Sequence, residues 1–314
     1  MSARRVGVTG ASGFVGRALA ARLDVDGWDV VAVDRVAGPG VVAADIRGPG
    51  PWQDLLGTCA AVVHTAAVVS QTAARDTAWA VNVVGTRRVI DALAPDARLV
   101  HFSSAAVYSP VRPPAVDESY PVRPTGRVYG DTKIAAEQVV LAAHAAGEAD
   151  AVVLRPGDVY GPGSRPWTEI PVAALRAGRL VLPAHGRGLV DPVHIDDLVD
   201  CVVAAVECAA PAARVYNAAG GAPVTTREFF GEYSRRLGLA PPRTASTRVA
   251  VLLAEGMGRA QRLRGTPSEL GAGAVAMLTK TGGMSVARAE RDLGWAPRVG
   301  LDEGMRRTVA ALGG

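Results

Sequence analysis

The chain has 314 residues, of which 49% are hydrophobic and 20% are charged, a composition typical of a globular protein with a large core. The net charge of +4 is spread along the chain, without the basic patch and stacking aromatics of nucleic-acid binders, so we expect no nucleic-acid partner. No apolar run is long enough to span a membrane, and the three cysteines are too few and too widely spaced for a disulfide framework or a zinc site, so we expect a cytoplasmic protein with no membrane partner.

Short strands rich in valine and alanine alternate with amphipathic helices in the first half of the chain. The predicted strands are Arg5–Thr9, Asp29–Val33, Val41–Ala43, Ala60–His64, Ala97–Phe102 and Ala151–Leu154. The predicted helices are Val15–Leu23, Asp76–Leu93 and Thr132–Ala146. Continuous apolar strands separated by helices indicate a parallel sheet covered on both faces. The expected fold is therefore α/β, with a Rossmann doubly wound parallel sheet over residues 1–156.

The regular alternation of strands and helices fades after residue 156, where proline and glycine become frequent. One strand is predicted at Arg214–Asn217. The predicted helices are Thr168–Ala177, Ile195–Val206, Thr226–Leu237 and Thr247–Leu263, with two or three more before the C-terminus. We expect residues 157–314 to form a smaller, mostly helical substrate lobe, partly interleaved with the first domain.

A glycine-rich turn follows the first strand and opens the first helix. Gly10, Gly13 and Gly16 stand where the turn, the close approach of a pyrophosphate and helix–strand packing each require a residue without a side chain. The amides of the helix start, around Phe14 and Val15, face the negative phosphates. We therefore predict a dinucleotide site in residues 1–156; the alternative is a purely structural turn.

Asp34 ends the second strand, where a carboxylate accepts hydrogen bonds from the adenosine ribose and repels a 2′-phosphate. This predicts NAD rather than NADP as the cofactor. Arg35 follows at once and is able to hold a 2′-phosphate, and a turn-capping role for Asp34 is the structural alternative. Asp45 and Ile46, after the third strand, are weaker candidates for contact with the adenine.

Tyr129 and Lys133 lie four residues apart and share one face of a predicted helix. A tyrosine hydroxyl has a pKa near 10, and a neighbouring cation lowers it toward the range of a useful acid or base. Lys133 is one of only two lysines in the chain, the other being Lys280. We expect Tyr129 to exchange a proton with a hydroxyl or carbonyl oxygen while hydride moves between carbon and cofactor.

Ser103 and Ser104 follow the fifth predicted strand, at the sheet edge where ligands bind. Ser104 is therefore a candidate to hold the reacting oxygen, with Ser103 beside the cofactor. The alternative is that both serines only end the strand.

In their order and spacing these motifs resemble the extended short-chain dehydrogenase/reductase family. The likeness is carried by Thr9–Gly16, His64–Ala67, Asn82, Ser104, Tyr129, Lys133, Arg155–Pro162, Val193–Leu198 and Leu293–Pro297. The resemblance implies that Ser104, Tyr129 and Lys133 are catalytic and that Asn82 supports the active site. It also implies that Thr65, Ala66 and Ala67 lie along the cofactor, and that Pro156 and Val159 lie near its nicotinamide end.

Two departures from the family pattern narrow the chemistry. Sugar-nucleotide dehydratases carry an Asp-Glu pair after the serine, where this chain has Ala105 and Ala106, so dehydration is largely discarded. Epimerases often place asparagine where this chain has Asp158, which counts against nucleotide-sugar binding. The stretch from Val249 to Leu312, through Gly265–Leu270 and Ser285–Trp295, is similar to the 3β-hydroxysteroid dehydrogenase-like branch, and implies an apolar or cyclic secondary alcohol or ketone.

Further residues are candidates for substrate contact, and each has a structural alternative. These are Asp158, Tyr160, Trp167, His185 and Arg187, where Trp167 can instead anchor a helix and the last two can lie in a solvated loop. His194, Asp196 and Asp197 are typical of a helix start rather than of a metal site, so no metal is expected.

Three hypotheses remain for the function. The first is net oxidation or reduction of a secondary alcohol or ketone with NAD. The second is an epimerase that retains its NAD through turnover, and the third is a cofactor-binding sensor without chemistry. The resemblance also implies a homodimer through the helices at Asp76–Leu93 and Thr132–Ala146, although the small apolar residues there are equally compatible with an internal core.

Overall fold

The computed structural model describes residues 4–209, 214–265 and 268–313. The predicted motif Gly265–Leu270 therefore lies partly outside the described residues. The strands, in chain order, are β1 (Arg5–Thr9), β2 (Asp29–Asp34), β3 (Val41–Ala43), β4 (Ala61–His64), β5 (Arg98–Phe102), β6 (Ala115–Val116), β7 (Asp150–Pro156), β8 (Asp158–Tyr160), β9 (Val181–Leu182), β10 (Leu189–Val190), β11 (Pro192–His194), β12 (Arg214–Ala218), β13 (Val224–Thr225), β14 (Arg243–Thr244) and β15 (Gly283–Met284).

The helices alternate with the strands of the first half and dominate the second half. They are α1 (Phe14–Val25), α2 (Trp52–Leu56), α3 (Arg75–Trp79), α4 (Thr86–Asp91), α5 (Val128–Ala145), α6 (Ile170–Arg176), α7 (Ile195–Glu207), α8 (Thr226–Leu237), α9 (Thr247–Leu263), α10 (Ala272–Met277), α11 (Ala287–Leu293) and α12 (Leu301–Ala311). The predicted helix Asp76–Leu93 is divided, because a π-helical segment, Ala80–Gly85, separates α3 from α4. Within the described ranges, no helix combines the length and apolarity needed to cross a bilayer.

Seven parallel strands form the central sheet, in the order β12-β7-β5-β4-β1-β2-β3. The chain moves outward from β1 in both directions, so β1 and β4 flank the switch point where ligands bind in doubly wound sheets. The predicted Rossmann fold is confirmed, and the carboxyl ends of β1, β4 and β5 are the edge at which a site is expected.

Helices cover both faces of the sheet because its strands are apolar on both sides. Val6 and Val8 of β1 are fully buried against α1 and α7 on one face. On the other face, Gly7 leaves room for α2, since a Cβ there would lie 2.5 Å from Leu56 Cδ2. A separate aromatic core, around Phe229 and Tyr233 of α8, forms the centre of the smaller lobe.

The two halves of the chain share the central sheet. β12, which comes after residue 157, pairs in parallel with β7 over five residues and forms the edge of the sheet. The second half of the chain therefore contributes the last strand of the sheet. It also carries the segments that lie over the carboxyl ends of the strands.

Candidate functional site

The glycine turn connects β1 to α1 through close backbone contacts. Gly10 has a φ of +76°, and a Cβ there would lie 2.6 Å from the amide nitrogen of Ala66. A Cβ on Gly16 would lie 2.1 Å from the carbonyl oxygen of Gly10. The helix starts at Phe14 after Gly13, with no side chain capping its first amides. This bare helix start fits a dinucleotide pyrophosphate.

Asp34 lies beside this turn, at the end of β2. Its carboxylate accepts hydrogen bonds from the backbone amides of Ser12, at 3.0 Å, and Val36, at 2.8 Å. These bonds use one lone pair of each oxygen, so the carboxylate keeps acceptor capacity for ribose hydroxyls. Arg35 is exposed. This geometry fits the adenosine ribose of NAD beside the glycine turn.

Asp45 and Ile46 follow β3 and have different surroundings. Asp45 accepts bonds from the backbone and guanidinium of Arg47, and this hydrogen bonding is the main reason that its pKa is lowered. Ile46 is buried against Gly85, where a Cβ would lie 2.7 Å from Ile46 Cδ1. Ile46 thus packs against the π-helical segment Ala80–Gly85.

The chain after β4 runs along the open side of the glycine turn. Thr65 donates from its hydroxyl to the oxygen of Thr9 at 2.8 Å, which holds the segment Thr65–Ala67 against the end of β1. Asn82 then accepts from the amide of Val68 at 2.7 Å and donates to the Thr132 hydroxyl at 3.0 Å. Asn82 therefore joins the segment after β4 to helix α5.

Helix α5 begins at Val128, four residues earlier than predicted, so that Tyr129 belongs to its first turn. Gly130 allows this turn to pack on the short 3₁₀ turn after Ser104, since a Cβ on Gly130 would lie 2.9 Å from the Ala106 oxygen. The Ser104 hydroxyl is close enough to the Tyr129 phenol to favour a lower pKa of that phenol. The structure thus brings the predicted serine and tyrosine together at the carboxyl edge of the sheet.

Lys133 lies one turn further along α5 and is buried. Its ammonium donates to the backbone oxygen of Phe102 at 2.7 Å, and burial lowers its pKa to about 8. Burial also raises the pKa of Tyr129, and the neighbouring Ser104 hydroxyl acts in the opposite direction. We predicted that Lys133 would lower this pKa; the net shift is instead upward, because burial outweighs the effect of Ser104.

A buried polar network that the sequence analysis missed supports the back of this site. Glu137, two turns after Tyr129, accepts from the Ser103 hydroxyl at 2.7 Å and forms an ion pair with Arg155. Arg155 donates to the Tyr108 hydroxyl at 2.7 Å, which donates to Asn217 Oδ1 at 2.8 Å. The one feature of the sequence that could have indicated this network is Glu137, a glutamate on the apolar face of the predicted helix Thr132–Ala146.

Asp158 is enclosed in a second buried network. Its carboxylate pairs with the Lys280 ammonium and accepts from the backbone amide of Asp191 at 2.9 Å. Asp191 in turn pairs with Arg112, and all four side chains are buried. Asp158 is thus engaged by the protein itself, which favours a structural role over the substrate contact that we expected.

The other predicted substrate residues are divided between core and surface. Tyr160 and Trp167 are 1% and 6% exposed and pack with Phe229 in the smaller lobe, which favours a packing role for both. His185 and Arg187 are exposed on a loop, where His185 has a φ of +56°. His194 caps α7 by accepting from the amide of Asp196 at 3.3 Å, as a helix start requires.

Known proteins match nearly the whole chain. A model of the NAD dependent epimerase/dehydratase family matches residues 6–219. The chain belongs to this family. The 2-alkyl-3-oxoalkanoate reductase of Stenotrophomonas maltophilia is 32% identical over 326 residues, covering 97% of this chain and 98% of the relative. The UDP-glucose 4-epimerase of Mycolicibacterium smegmatis is also 32% identical, with 96% of each chain covered.

A similar solved structure is that of MoeE5 in complex with UDP-glucuronic acid and NAD. It superposes with a TM-score of 0.78 over 98% of each chain, at 27% identity. The family and these relatives identify the chain as an NAD-dependent enzyme of the extended short-chain dehydrogenase/reductase type, which confirms the predicted family and cofactor.

Proposed function

We propose that this protein is an NAD-dependent ketoreductase, which interconverts a ketone and a secondary alcohol. The observation that carries the proposal is the packing of Gly130 on the turn after Ser104, which brings the hydroxyls of Tyr129 and Ser104 together. This pair lies at the sheet edge where the glycine turn and the segment after β4 also end. Two adjacent hydroxyls on rigid elements suit the recognition of one carbonyl or hydroxyl oxygen.

In this proposal Ser104 holds the substrate oxygen by a hydrogen bond and Tyr129 exchanges a proton with it. The raised pKa of Tyr129 keeps its phenol protonated at neutral pH, which is the form needed to protonate a ketone oxygen during reduction. The bound cofactor supplies or accepts the hydride. Lys133 provides positive charge beneath the site and orients the nicotinamide ribose, while Asn82 positions helix α5.

On this proposal the carboxyl edge of the sheet would hold the cofactor. Gly10, Gly13, Phe14, Val15 and Gly16 would hold the pyrophosphate, and Asp34 would accept from the adenosine ribose. Thr65–Ala67 and Ser103 would line the site between them, and Pro156 and Val159 would border the nicotinamide. The bare helix start and the backbone-anchored Asp34 support this assignment.

For the substrate we propose a ketone with an alkyl chain. Support comes from the similarity to a 2-alkyl-3-oxoalkanoate reductase across nearly the whole chain, together with the predicted likeness of the C-terminal region to 3β-hydroxysteroid dehydrogenase-like proteins. The alanines at 105 and 106 argue against dehydration, since neither supplies an acid or a base.

Epimerisation is the second candidate, and the 32% identity to a UDP-glucose 4-epimerase favours it. The same Ser104, Tyr129 and Lys133 would serve that reaction. The ion pair between Asp158 and Lys280 argues against it, because the side chain at the position where epimerases often carry asparagine is already engaged within the protein.

We also propose a cytoplasmic homodimer. The helices predicted to form its interface, α3 to α5, leave Trp79 43% exposed and Val84 40% exposed, which a partner copy would cover. Light scattering on the purified protein tests the mass, and a monomer at micromolar concentration would contradict the dimer.

The ketoreductase proposal is tested by following NADH consumption with 2-alkyl-3-oxoalkanoates and with simple cyclic ketones. A parallel assay adds UDP-glucose and measures UDP-galactose, while mass spectrometry of the denatured protein identifies any retained nucleotide. Reversible NADH binding with net ketone reduction supports the proposal. Tightly retained NAD with sugar epimerisation and no net reduction would replace it by the second candidate.

A further inference from the structure

Helix α9 packs on the rest of the protein mainly through small residues. It runs for 17 residues, from Thr247 to Leu263, and its buried positions are Ala250, Ala254 and Gly258. Ala250 and Ala254, with the partly buried Val251, pack with Val275 of α10 in a small separate cluster, and Gly258 faces the Leu270 backbone. The other large apolar side chains of α9 are directed elsewhere.

The opposite face of α9 is exposed and apolar. Leu263 and Leu252 are 82% and 73% exposed, and Val249, Leu253 and Met257 are 41–47% exposed. At about 100° per residue these five side chains fall within one arc of about 140°, which also holds Gly256 and Ala260. A contiguous exposed apolar surface of this kind indicates an interaction site rather than chance exposure.

Arginines border this apolar face. Arg248, Arg259, Arg262 and Arg264 are exposed, and none of them forms an ion pair with the described residues. Arg262 lies toward Gly258, on the packed side of the helix, so Arg248, Arg259 and Arg264 are the arginines beside the apolar face. The acidic residue on the helix, Glu255, accepts from the backbone amide of Ala272 at 2.9 Å and so is directed toward the protein. Three arginines and one glutamate in α9, with Arg264 directly after the helix, give this part of the chain a net positive charge.

We propose that this face of α9 docks on an anionic lipid membrane. The apolar side chains enter the region between headgroups and acyl chains, and the arginines bind the lipid phosphates. A second copy of the chain fits less well, since a two-fold contact through α9 would bring the unpaired arginines of both copies together. This proposal departs from our expectation of no membrane partner, which rested on the lack of an apolar run long enough to span a membrane.

The chain that follows α9 contacts a loop that leads to the site. The segment after α9 contacts the loop after β4, where Glu269 accepts from the Ser70 hydroxyl at 2.6 Å and from the Gln71 amide at 2.9 Å. Docking would therefore hold the loop after β4, whose first residues border the proposed cofactor site, close to the membrane. The docking itself does not rest on the proposed function.

Flotation with vesicles tests the docking on the full chain. Wild-type protein is mixed with vesicles of phosphatidylcholine alone, or of phosphatidylcholine and phosphatidylglycerol in equal amounts. The Leu252→Gln/Leu263→Gln double variant removes the two most exposed apolar side chains of the face. Val25→Gln, at an equally exposed valine that ends α1, is the matched control, and Arg248→Gln/Arg259→Gln tests the charge.

We expect wild type and Val25→Gln to float with the anionic vesicles, and the double leucine variant to lose at least about tenfold in partitioning. Arg248→Gln/Arg259→Gln should lose roughly fivefold per arginine, on anionic vesicles only. The proposal is overturned if wild type floats with neither vesicle, if it floats equally with both, or if the leucine variant floats like wild type. If wild type binds no vesicles and the leucine variant has a lower mass than wild type in light scattering, the face instead forms a contact between two copies of the chain.

Discussion

Lys133 joins helix α5 to strand β5 through the hydrogen bond from its ammonium to the carbonyl oxygen of Phe102, at 2.7 Å. One turn earlier Gly130 packs on the turn after Ser104, and one turn later Glu137 binds Ser103. Three contacts along one face of the helix therefore fix its register against the strand, and this register sets the position of Tyr129.

Replacing Tyr129 with phenylalanine should lower kcat by about 10²–10⁴-fold while leaving NAD affinity within a factor of two or three, because the phenol is the proposed proton donor. Steady-state kinetics and calorimetric titration with NAD measure the two quantities. Tyr120→Phe, at a partly buried tyrosine to which we assign no catalytic role, is the control. Full activity in Tyr129→Phe would refute the assignment of the proton donor.

The pH profile should reflect the buried ammonium of Lys133. Because burial lowers its pKa to about 8, the positive charge is present below that pH and is lost above it. We expect kcat/KM for ketone reduction to fall on an alkaline limb near pH 8, although the pKa of Tyr129 itself is raised and its proton stays in place. Lys133→Arg keeps the charge and should move this limb to higher pH; an unchanged limb would assign it to another group.

Glu137→Gln should lower the free energy of unfolding by on the order of 3 kcal/mol, because it leaves the buried guanidinium of Arg155 without its counter-charge. Urea denaturation measures the change. Glu148→Gln is the matched control, since Glu148 pairs with Arg87 at the surface and is 45% exposed, where an ion pair contributes little. Equal destabilisation by the two variants would show that the buried ion pair contributes no more to the free energy of unfolding than the surface pair does.

Gly16→Ala should weaken NAD binding at least about tenfold, because its Cβ would lie 2.1 Å from the Gly10 oxygen and displace the glycine turn. Calorimetric titration with NAD provides the measurement. Gly231→Ala, in α8 with open space around its Cβ position, should bind NAD normally and be equally or more stable. Wild-type affinity in Gly16→Ala would mean that the turn does not contact the cofactor.

The main sheet and the catalytic candidates could be predicted because their signals are local. Six of the seven central strands are apolar runs in the first half, and the seventh, Arg214–Asn217, was also predicted from its own residues. The glycine turn needs only its spacing after a strand, and Tyr129 and Lys133 need only a helical period to share a face. Their approach to Ser104 followed from the rule that functional residues gather at the carboxyl edge of a parallel sheet.

The buried ion pairs could not be predicted because their partners are distant in sequence. Asp158 and Lys280 are 122 residues apart, and Arg112 and Asp191 are 79 apart. No periodicity connects such residues, so Asp158 could only be judged by its place beside the expected nicotinamide. The direction of the Tyr129 pKa shift also depends on three-dimensional burial, which the four-residue spacing to Lys133 does not reveal.

The position of β12 determines how this protein can change in evolution. Since β12 covers the edge of β7, a chain ending at residue 156 would expose that edge as a template for strand addition by other molecules. Residues 157–314 can therefore be exchanged between relatives only together with a strand that pairs with β7. Insertions that change the substrate lobe keep the sheet intact when they fall before or after β12 and leave that strand in place.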